Sequence, residues 1–319
     1  MKSACHLSTT SVAIAACLLV IPRAAAEEGG AGHHVPGGMS TLIDLLPTQP
    51  GLVVESMFLH YSGDAAASAS IPIADRLSLG LDATSDALTV GGIYTFEQQV
   101  LGAHYSVGAF LPYVWVDVDA QVRIGNLPPA HVSSSASGIG DISLLPVMMA
   151  WKSDCWQFNA ALPIYAPTGD YEAGRLANPG LNHWSFDPTV GVAWSNEKTG
   201  FNFAAHTGFT FSTENPDTDY RNGTLFHLDL SAQQLLPVGP GFLGLGVEAF
   251  YLEQVSGDSG AGATLGGFKG RTIGLGPVLS YILPAGENTL VAEARWLPEL
   301  DTKRRMEGDY FWLKVVCQF

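Results

Sequence analysis

Apolar and polar residues alternate with a period of two through much of this chain, which is typical of β-strands rather than helices. In Val114–Arg123 small apolar residues form one face, and Trp115, Asp117, Asp119 and Arg123 belong to the other. The same alternation recurs in three further segments: 201–211, 225–233 and 290–296. After residue 26 no apolar run reaches the roughly 18 residues of a membrane-spanning helix. The pattern predicts an all-β protein.

Counting the alternating segments predicts about twelve strands, with alternately long and short connections. The predicted strands are 51–62, 86–96, 102–123, 140–152, 155–166, 185–195, 200–211, 224–235, 243–255, 270–282, 288–299 and 309–319. The long polar connections are 63–85, 124–139, 167–184, 212–223, 256–269 and 300–308. Antiparallel barrels in membranes combine short periplasmic turns with longer outside loops. Residues 51–319 are therefore predicted to form a transmembrane antiparallel β-barrel with both termini on the periplasmic side.

The N-terminus has the features of an export signal. Lys2 precedes the apolar stretch Ser11–Ile21, and Ala24-Ala25-Ala26 stands directly before Glu27. An apolar run of about 11 residues is too short to span a bilayer but suits a secretory signal. We predict a cleaved signal peptide at residues 1–26. Residues 27–50, which contain Gly, Pro and the pair His33-His34, are predicted to form either a periplasmic arm or an internal plug.

The C-terminal strand ends in an aromatic residue and carries an apolar face that includes Phe311, Leu313, Val315 and Phe319. Bacterial outer-membrane barrels typically end in this way, and their assembly machinery reads the terminal strand. We predict that these four residues are the assembly signal. A closed barrel also leaves no unpaired strand edge in lipid. The predicted location is the bacterial outer membrane, with its lipids, lipopolysaccharide and assembly machinery as partners.

The amino-acid composition excludes further classes of protein. The 319 residues carry 15 Lys and Arg against 30 Asp and Glu, a net charge of −15. Such an acidic chain is unsuited to nucleic acid, because binding there depends on neutralising phosphates with Lys and Arg. Only 14% of residues are charged and 10% are aromatic, which excludes a disordered chain.

Polar residues on the alternating strands are predicted to face the lumen, because a charge on the lipid face costs about 2–4 kcal/mol near the bilayer centre. The predicted pore-lining residues are Trp115, Asp117, Asp119, Arg123, His206, His227, Asp229, Glu293, Arg295 and Lys314. An interior salt-bridge network that plugs the barrel is the alternative. A register slip of one residue would turn a strand's whole set toward lipid.

Several motifs together resemble a known family. They are Gly138-Ile139-Gly140-Asp141 before Leu145-Pro146, Pro167–Tyr171, Leu181–Trp184, Glu214–Gly223 with His227, Glu253–Asp258, Gly276-Pro277, and the close through Arg305 and Gly308 to Phe319. The chain resembles the outer-membrane family named for the meta-pathway of phenol degradation. The resemblance implies a transporter barrel associated with catabolism of aromatic or hydrophobic compounds. It supplies no catalytic residues.

The sequence gives less support for catalysis or metal binding. A G-x-S-x-G elbow requires a strand–turn–helix that a barrel lacks, and the His227/Asp229 pair is interpreted as structural or pore-lining. Loop Glu214–Gly223 has oxygen ligands suited to Ca²⁺ but lacks the calcium-loop pattern, so a solvated turn is expected. The pair His33-His34 could bind a metal, but a pair near a free terminus is expected to be flexible. No enzyme activity, cofactor or metal is predicted.

The predicted function is passive or facilitated uptake of small hydrophobic or aromatic compounds through an outer-membrane channel. A structural barrel that bridges lipopolysaccharide through divalent cations, without transport, is the first alternative. An outer-membrane hydrolase is the second.

Overall fold

The computed structural model describes residues 32–39, 41–65, 71–73, 76–123, 130–264, 267 and 269–319, with side chains described except at 71–79 and 122–123. The predicted signal peptide therefore lies outside the described residues. Within them, no helix has the length and apolar character needed to cross a membrane.

The described residues form one closed antiparallel sheet of twelve barrel strands. The strands are β1 Gly51–Ala65, β2 Arg76–Val100, β3 Ala103–Arg123, β4 Ala130–Ile139 with Ile142–Ser153, β5 Trp156–Ala161 with Ile164–Ala166, β6 Ser185–Phe186 with Thr189–Asn196, β7 Phe201–Ser212, β8 Leu225–Val238, β9 Gly241–Gln254, β10 Arg271–Ala285, β11 Asn288–Lys303 and β12 Glu307–Gln318. A short strand, Ile71–Ile73, pairs with the start of β2. Strand β12 closes the barrel on β1, from Val53↔Gln318 to Asp64↔Glu307. The predicted barrel of about twelve strands is confirmed.

The outer surface of the barrel is apolar, as contact with lipid requires. Along β10, Leu275 and Leu279 are exposed, whereas Val278 and Ser280 are buried inside. The four residues of the predicted assembly signal all lie on this outer face; they are Phe311, Leu313, Val315 and Phe319. Exposed apolar side chains over a whole surface would be costly in water, so a lipid environment accounts for them.

Three predicted long connections are partly strand, which corrects the sequence-based boundaries. Residues 63–65 and 76–85 belong to β1 and β2, residues 130–139 to β4, and residues 300–303 and 307–308 to β11 and β12. The polar residues in these segments indicate that the strands are exposed to water there. They do not indicate that strand pairing ends. The strands continue past the lipid belt, and cross-strand hydrogen bonds continue with them.

Three neighbouring strands are interrupted at similar positions along the barrel wall. β4 breaks at Gly140-Asp141, β5 at Leu162-Pro163 and β6 at Asp187-Pro188. Proline cannot donate a ladder hydrogen bond, which explains two of the breaks. Across them, the Asp187 amide donates to the Pro163 carbonyl at 2.9 Å. Both aspartates are buried, so the breaks bring two carboxylates into the barrel interior.

Candidate functional site

Residues 32–39 and 41–50, called here the inner segment, lie inside the barrel. The Gly37 amide donates to Asp229 Oδ1 at 2.9 Å, Lys314 Nζ donates to the Gly38 carbonyl at 2.8 Å, and Gln157 donates to the Leu46 carbonyl at 2.8 Å. These partners belong to β8, β12 and β5, on different sides of the barrel. The described part of the N-terminal segment therefore occupies the lumen.

The inner segment contacts a wall of buried charges on β9, β11 and β12. Arg295 is paired with Glu248 at 3.0 Å, with Glu293 at 3.0 Å and with Asp44 of the inner segment at 3.3 Å. Lys314 also pairs with Asp44. Two cations thus share three carboxylates, and Asp44 is the carboxylate that both cations contact.

The pKa of Asp44 reflects this arrangement. Burial alone would raise it, but the positive charges of Lys314 and Arg295 outweigh burial and lower the pKa to about 2. The carboxylate is therefore ionised at neutral pH. Thr41 completes the contact, since its hydroxyl donates to Glu293 Oε1 at 3.0 Å.

His33 and His34 are held by the aspartates at the strand breaks. His33 lies 2.9 Å from Asp141 Oδ2 and 2.8 Å from the Ser185 hydroxyl. His34 lies 3.3 Å from Asp187 Oδ2 and its ring stacks on that of His227, with centroids 3.6 Å apart. The expectation that His33-His34 is flexible is wrong, because both rings are fixed by buried partners.

Ser185, His33 and Asp141 form a hydroxyl–imidazole–carboxylate chain like that of a hydrolase. Ser185 is fully buried, with 0% exposure, and its hydroxyl also contacts Ser212 at 3.1 Å. A nucleophile needs room for a substrate carbonyl beside it. In this structure the chain of contacts therefore orients the inner segment.

A cavity of about 610 Å³ separates the inner segment from the opposite wall of the barrel. The wall is mostly apolar and is formed by β1, β2 and β3; it includes Leu59, Leu81, Phe110, Val114, Val116 and Val118. The facing side of the inner segment is apolar too, with Val35, Met39, Leu42, Ile43 and Leu45. Glu55, Thr84, Ser85 and Thr89 are the polar residues on this wall. The lumen thus has one charged wall, which binds the inner segment, and one mostly apolar wall. The cavity lies along the apolar wall and also reaches Asp44 and Lys314 of the charged cluster.

The loop of residues 167–184 covers one end of this cavity. Asp141 holds both arms of the loop, accepting from the Gly169 amide at 2.8 Å and from the Leu181 amide at 2.7 Å. Ala177 packs against the apolar wall at Val118. One carboxylate therefore links the inner segment, through His33, to the covering loop.

His183 lies at the base of that loop. Burial lowers its pKa to about 4, and the neighbouring His33 contributes to the same shift. The ring is therefore neutral at pH 7, and its Nε2 lies 3.2 Å from Asn222 Nδ2.

The structure separates the predicted pore-lining residues into two groups. Six are buried inside the barrel: His206, His227, Asp229, Glu293, Arg295 and Lys314. The side chain of Arg123 lies outside the described part of the structure. Trp115, Asp117 and Asp119 are corrected, because they are exposed on the outer face.

The reason for the correction lies in what surrounds that part of β3. Its outer face there reaches water, where Asp119 pairs loosely with His131 at 3.9 Å. Its inner face is the apolar cavity wall, with Val114, Val116 and Val118. The expectation that polar residues face the lumen assumes water inside the barrel and lipid outside it. At this part of β3 the inner side is apolar and the outer side reaches water.

Several residues that shape the site were not among those predicted. They are Thr41, Asp44, Asp141, Ser185 and Asp187. Two of them had a signal in the sequence, since Gly140-Asp141 and Asp187-Pro188 interrupt strand patterns. Loop Glu214–Gly223 uses its oxygens within the protein, as Asn182 donates to Asn215 at 2.9 Å and to Asp217 at 3.0 Å.

Comparison with solved structures finds similar barrels. An outer membrane channel from Pseudomonas putida F1 matches with a TM-score of 0.64 and 15% identity, over 90% of this chain and 100% of that one. The β domain of the Bordetella autotransporter BrkA matches with a TM-score of 0.50 and 11% identity, over 85% of this chain and 100% of that one. These likenesses show a shared fold. Comparison with curated proteins found no matching sequence.

The closed twelve-stranded barrel and its apolar outer belt define an outer-membrane β-barrel. The family is shown by sequence, because the model of the family described as MetA-pathway of phenol degradation matches residues 63–315. The chain belongs to that family.

Proposed function

We propose that the protein is a channel for small hydrophobic or aromatic molecules, which cross along the apolar wall of the lumen. The observation that carries this proposal is the cavity of about 610 Å³ between β1–β3 and the inner segment. Ligand sites for apolar molecules have this size and are lined mostly by apolar side chains.

The charged wall also favours apolar solutes over ions and sugars. A route for ions or sugars needs polar groups that are free to replace hydrating water. Arg295 and Lys314 instead pair with carboxylates and with the inner segment. Polar solutes would meet an apolar surface on the open side of the lumen, and desolvating them there is costly.

The description of the family agrees with this choice of solute. Phenol degradation requires an aromatic compound to enter the cell, and an apolar cavity suits an aromatic ring. The proposed role is therefore uptake of such compounds, with no chemical step at the barrel.

A second function, bridging of lipopolysaccharide, is favoured by one observation. Four carboxylates are direct cross-strand neighbours on the outer face, since Glu307 pairs with Asp64, Asp64 with Asp82 and Asp82 with Asp119. Like charges directly opposite each other are destabilising and attract counter-ions. Replacing Asp64 and Asp82 with Asn would weaken divalent-dependent retention of lipopolysaccharide and leave solute flux intact.

The test of transport uses vesicles with an outer leaflet of lipopolysaccharide, because plain phospholipid passes toluene unaided. Flux of toluene and phenol is compared with that of sugars of similar size, alongside single-channel conductance. We expect saturable aromatic flux with little sugar flux and little ion conductance. Unselective passage of ions and sugars would indicate a general porin. No flux above protein-free vesicles, in heat-modifiable folded protein, would contradict transport.

A further inference from the structure

Glu55 places a buried carboxyl group on the mostly apolar wall of the lumen. It lies on β1, is 9% exposed and lines the cavity. Its side chain shares the inner face of the strand with Val53 and Leu59, whereas Val54 is exposed on the outer face. An acid among apolar residues therefore faces the space through which solutes are proposed to cross.

The protein supplies this carboxyl group with no close partner. Among the described residues, no hydrogen bond or ion pair reaches Glu55. Lys314 on the neighbouring strand β12 pairs with Asp44 instead. The carboxylate of Glu293, by contrast, is held by Arg295 at 3.0 Å. Buried polar groups are normally hydrogen-bonded, because desolvation without a partner is costly, so the carboxyl group of Glu55 is an acceptor ready for a ligand in the cavity.

An aromatic ring lies beside Glu55 because the residue between them is a glycine. In the strand register Glu55 stands opposite Gly91 on β2, and Gly91 stands opposite Phe110 on β3. A Cβ at Gly91 would lie 2.3 Å from Cδ1 and 2.6 Å from Cγ of Phe110, so the ring covers the glycine. The ring is thus one strand spacing, about 4.8 Å, from the backbone of Glu55.

Phe110 is held in this position and still faces the cavity. It packs against the buried cluster that contains Leu145 and Met148. The ring is only partly buried, and it lines the cavity together with Glu55. The wall therefore presents an aromatic surface and a hydrogen-bond acceptor next to each other.

We propose that Glu55 and Phe110 form a binding subsite that selects aromatic solutes bearing a hydroxyl group. The ring of a phenol packs against Phe110, and its hydroxyl donates to the carboxyl group of Glu55. A carboxyl group accepts such a bond whether it is ionised or protonated. Toluene packs against the same ring but leaves the buried acceptor without a partner, and an unsatisfied buried acceptor is costly.

This inference deepens the proposed function and rests on it for the entry of aromatic solutes into the cavity. Different measurements test the two proposals. Passage of toluene tests the channel, whereas the preference for phenol over its methyl ether, anisole, tests the subsite. Anisole keeps the ring and the oxygen but has no proton to donate.

The experiment measures binding of radiolabelled phenol, anisole and toluene by equilibrium dialysis against full-length refolded protein in nanodiscs, with binding to protein-free nanodiscs subtracted. We expect phenol to bind at least about tenfold more tightly than anisole, the effect of one hydrogen bond to a buried carboxyl group. Glu55→Met keeps the length of the side chain and removes the acceptor. In that variant the affinity for phenol should fall to that for anisole, and the affinity for toluene should be unchanged.

Two further variants separate the parts of the subsite. Glu55→Gln removes the charge but keeps an oxygen that accepts, so it should retain a preference for phenol of about threefold. A role confined to the charge of Glu55 would instead be lost in both Glu55→Gln and Glu55→Met. Phe110→Leu should weaken the binding of all three compounds and leave the ratio of phenol to anisole affinity unchanged.

The matched control is Thr89→Val, which removes a hydroxyl group from the same wall without touching the subsite. It should keep the wild-type affinities. Heat modifiability on gels reports that each variant has a folded barrel. A wild-type protein that binds phenol no more tightly than anisole, or a Glu55→Met variant with the wild-type preference, would overturn the subsite. Passage of toluene through such a barrel would leave the channel proposal standing, so the two failures are distinguishable.

Discussion

At the scale of single residues, the buried charges of Arg295 and Lys314 hold the interior together. Their carboxylate partners come from β9 and β11 and, through Asp44, from the inner segment. Burying an ion is costly unless it is paired. Each charge in this cluster therefore depends on its neighbours.

Replacing Arg295 with Met tests that dependence. The change leaves Glu248 and Glu293 buried without their cation, so the free energy of unfolding should fall by about 3–5 kcal/mol. Urea unfolding followed on heat-modifiable gels measures it. The matched control is Arg271→Met, which breaks the exposed pair with Asp301 and should cost about 0–1 kcal/mol. Equal losses in both variants would contradict the account.

Gly37 is a second residue on which docking of the inner segment depends. Its φ is +70°, and a Cβ there would overlap the Leu297 side chain. Gly37→Ala should displace the inner segment and raise single-channel conductance. Gly174 has a similar φ of +81°, but a Cβ at that residue would meet no atom within 4 Å, so Gly174→Ala isolates the backbone effect. Similar conductance in the two variants would argue against a tightly packed inner segment.

At the scale of elements, the inner segment occupies part of the lumen, where it contacts β5, β8 and β12. Removing residues 32–50 would leave the charged wall facing water. We expect the shortened barrel to conduct ions and to pass sugars that the full chain excludes. Planar-bilayer conductance compares the two proteins, and a shortened barrel as closed as the full chain would show that other elements block the lumen.

The inner segment also has a defined pH dependence. The pKa of Asp44 is lowered from 3.8 to about 2 when it is docked, so docking is favoured in full above pH 4 and is lost as the pH falls through 2. Conductance should be constant from pH 7 to about 4 and rise below that. Asp44→Asn should conduct more at neutral pH and lack the low-pH rise due to this group. A rise that begins near pH 6 would point to a histidine instead.

Strand β3 shows where sequence reasoning succeeds and where it fails. Alternation along Val114–Arg123 correctly separates two faces of a strand. It assigns them to the wrong sides, because Val116 faces an apolar cavity and Asp117 faces water outside. The two-residue period of apolar and polar residues shows that the two faces of the strand differ. Which face points into the barrel depends on the neighbouring elements.

At the scale of the whole molecule, the barrel was predictable, whereas an occupied lumen was one of two alternatives that the sequence left open. The number of strands follows from the local alternation of apolar and polar residues and from the alternation of long and short loops. Both patterns can be read directly from the sequence. The contacts that shape the lumen join residues far apart, such as His33 with Asp141 and Asp44 with Lys314. Spacing in one sequence carries no signal for such pairs.

For the barrel as a whole, we propose that apolar solutes cross along the wall formed by β1–β3. The most direct measurement is toluene flux in lipopolysaccharide-coated vesicles for Val116→Trp, which adds bulk inside the cavity, and for Val90→Trp, which adds the same bulk to the exposed outer face. We predict that Val116→Trp lowers the flux severalfold, because the indole projects into the cavity of about 610 Å³ and narrows the path along this wall. Val90→Trp should keep wild-type flux. Unchanged flux in a folded Val116→Trp barrel would contradict this route.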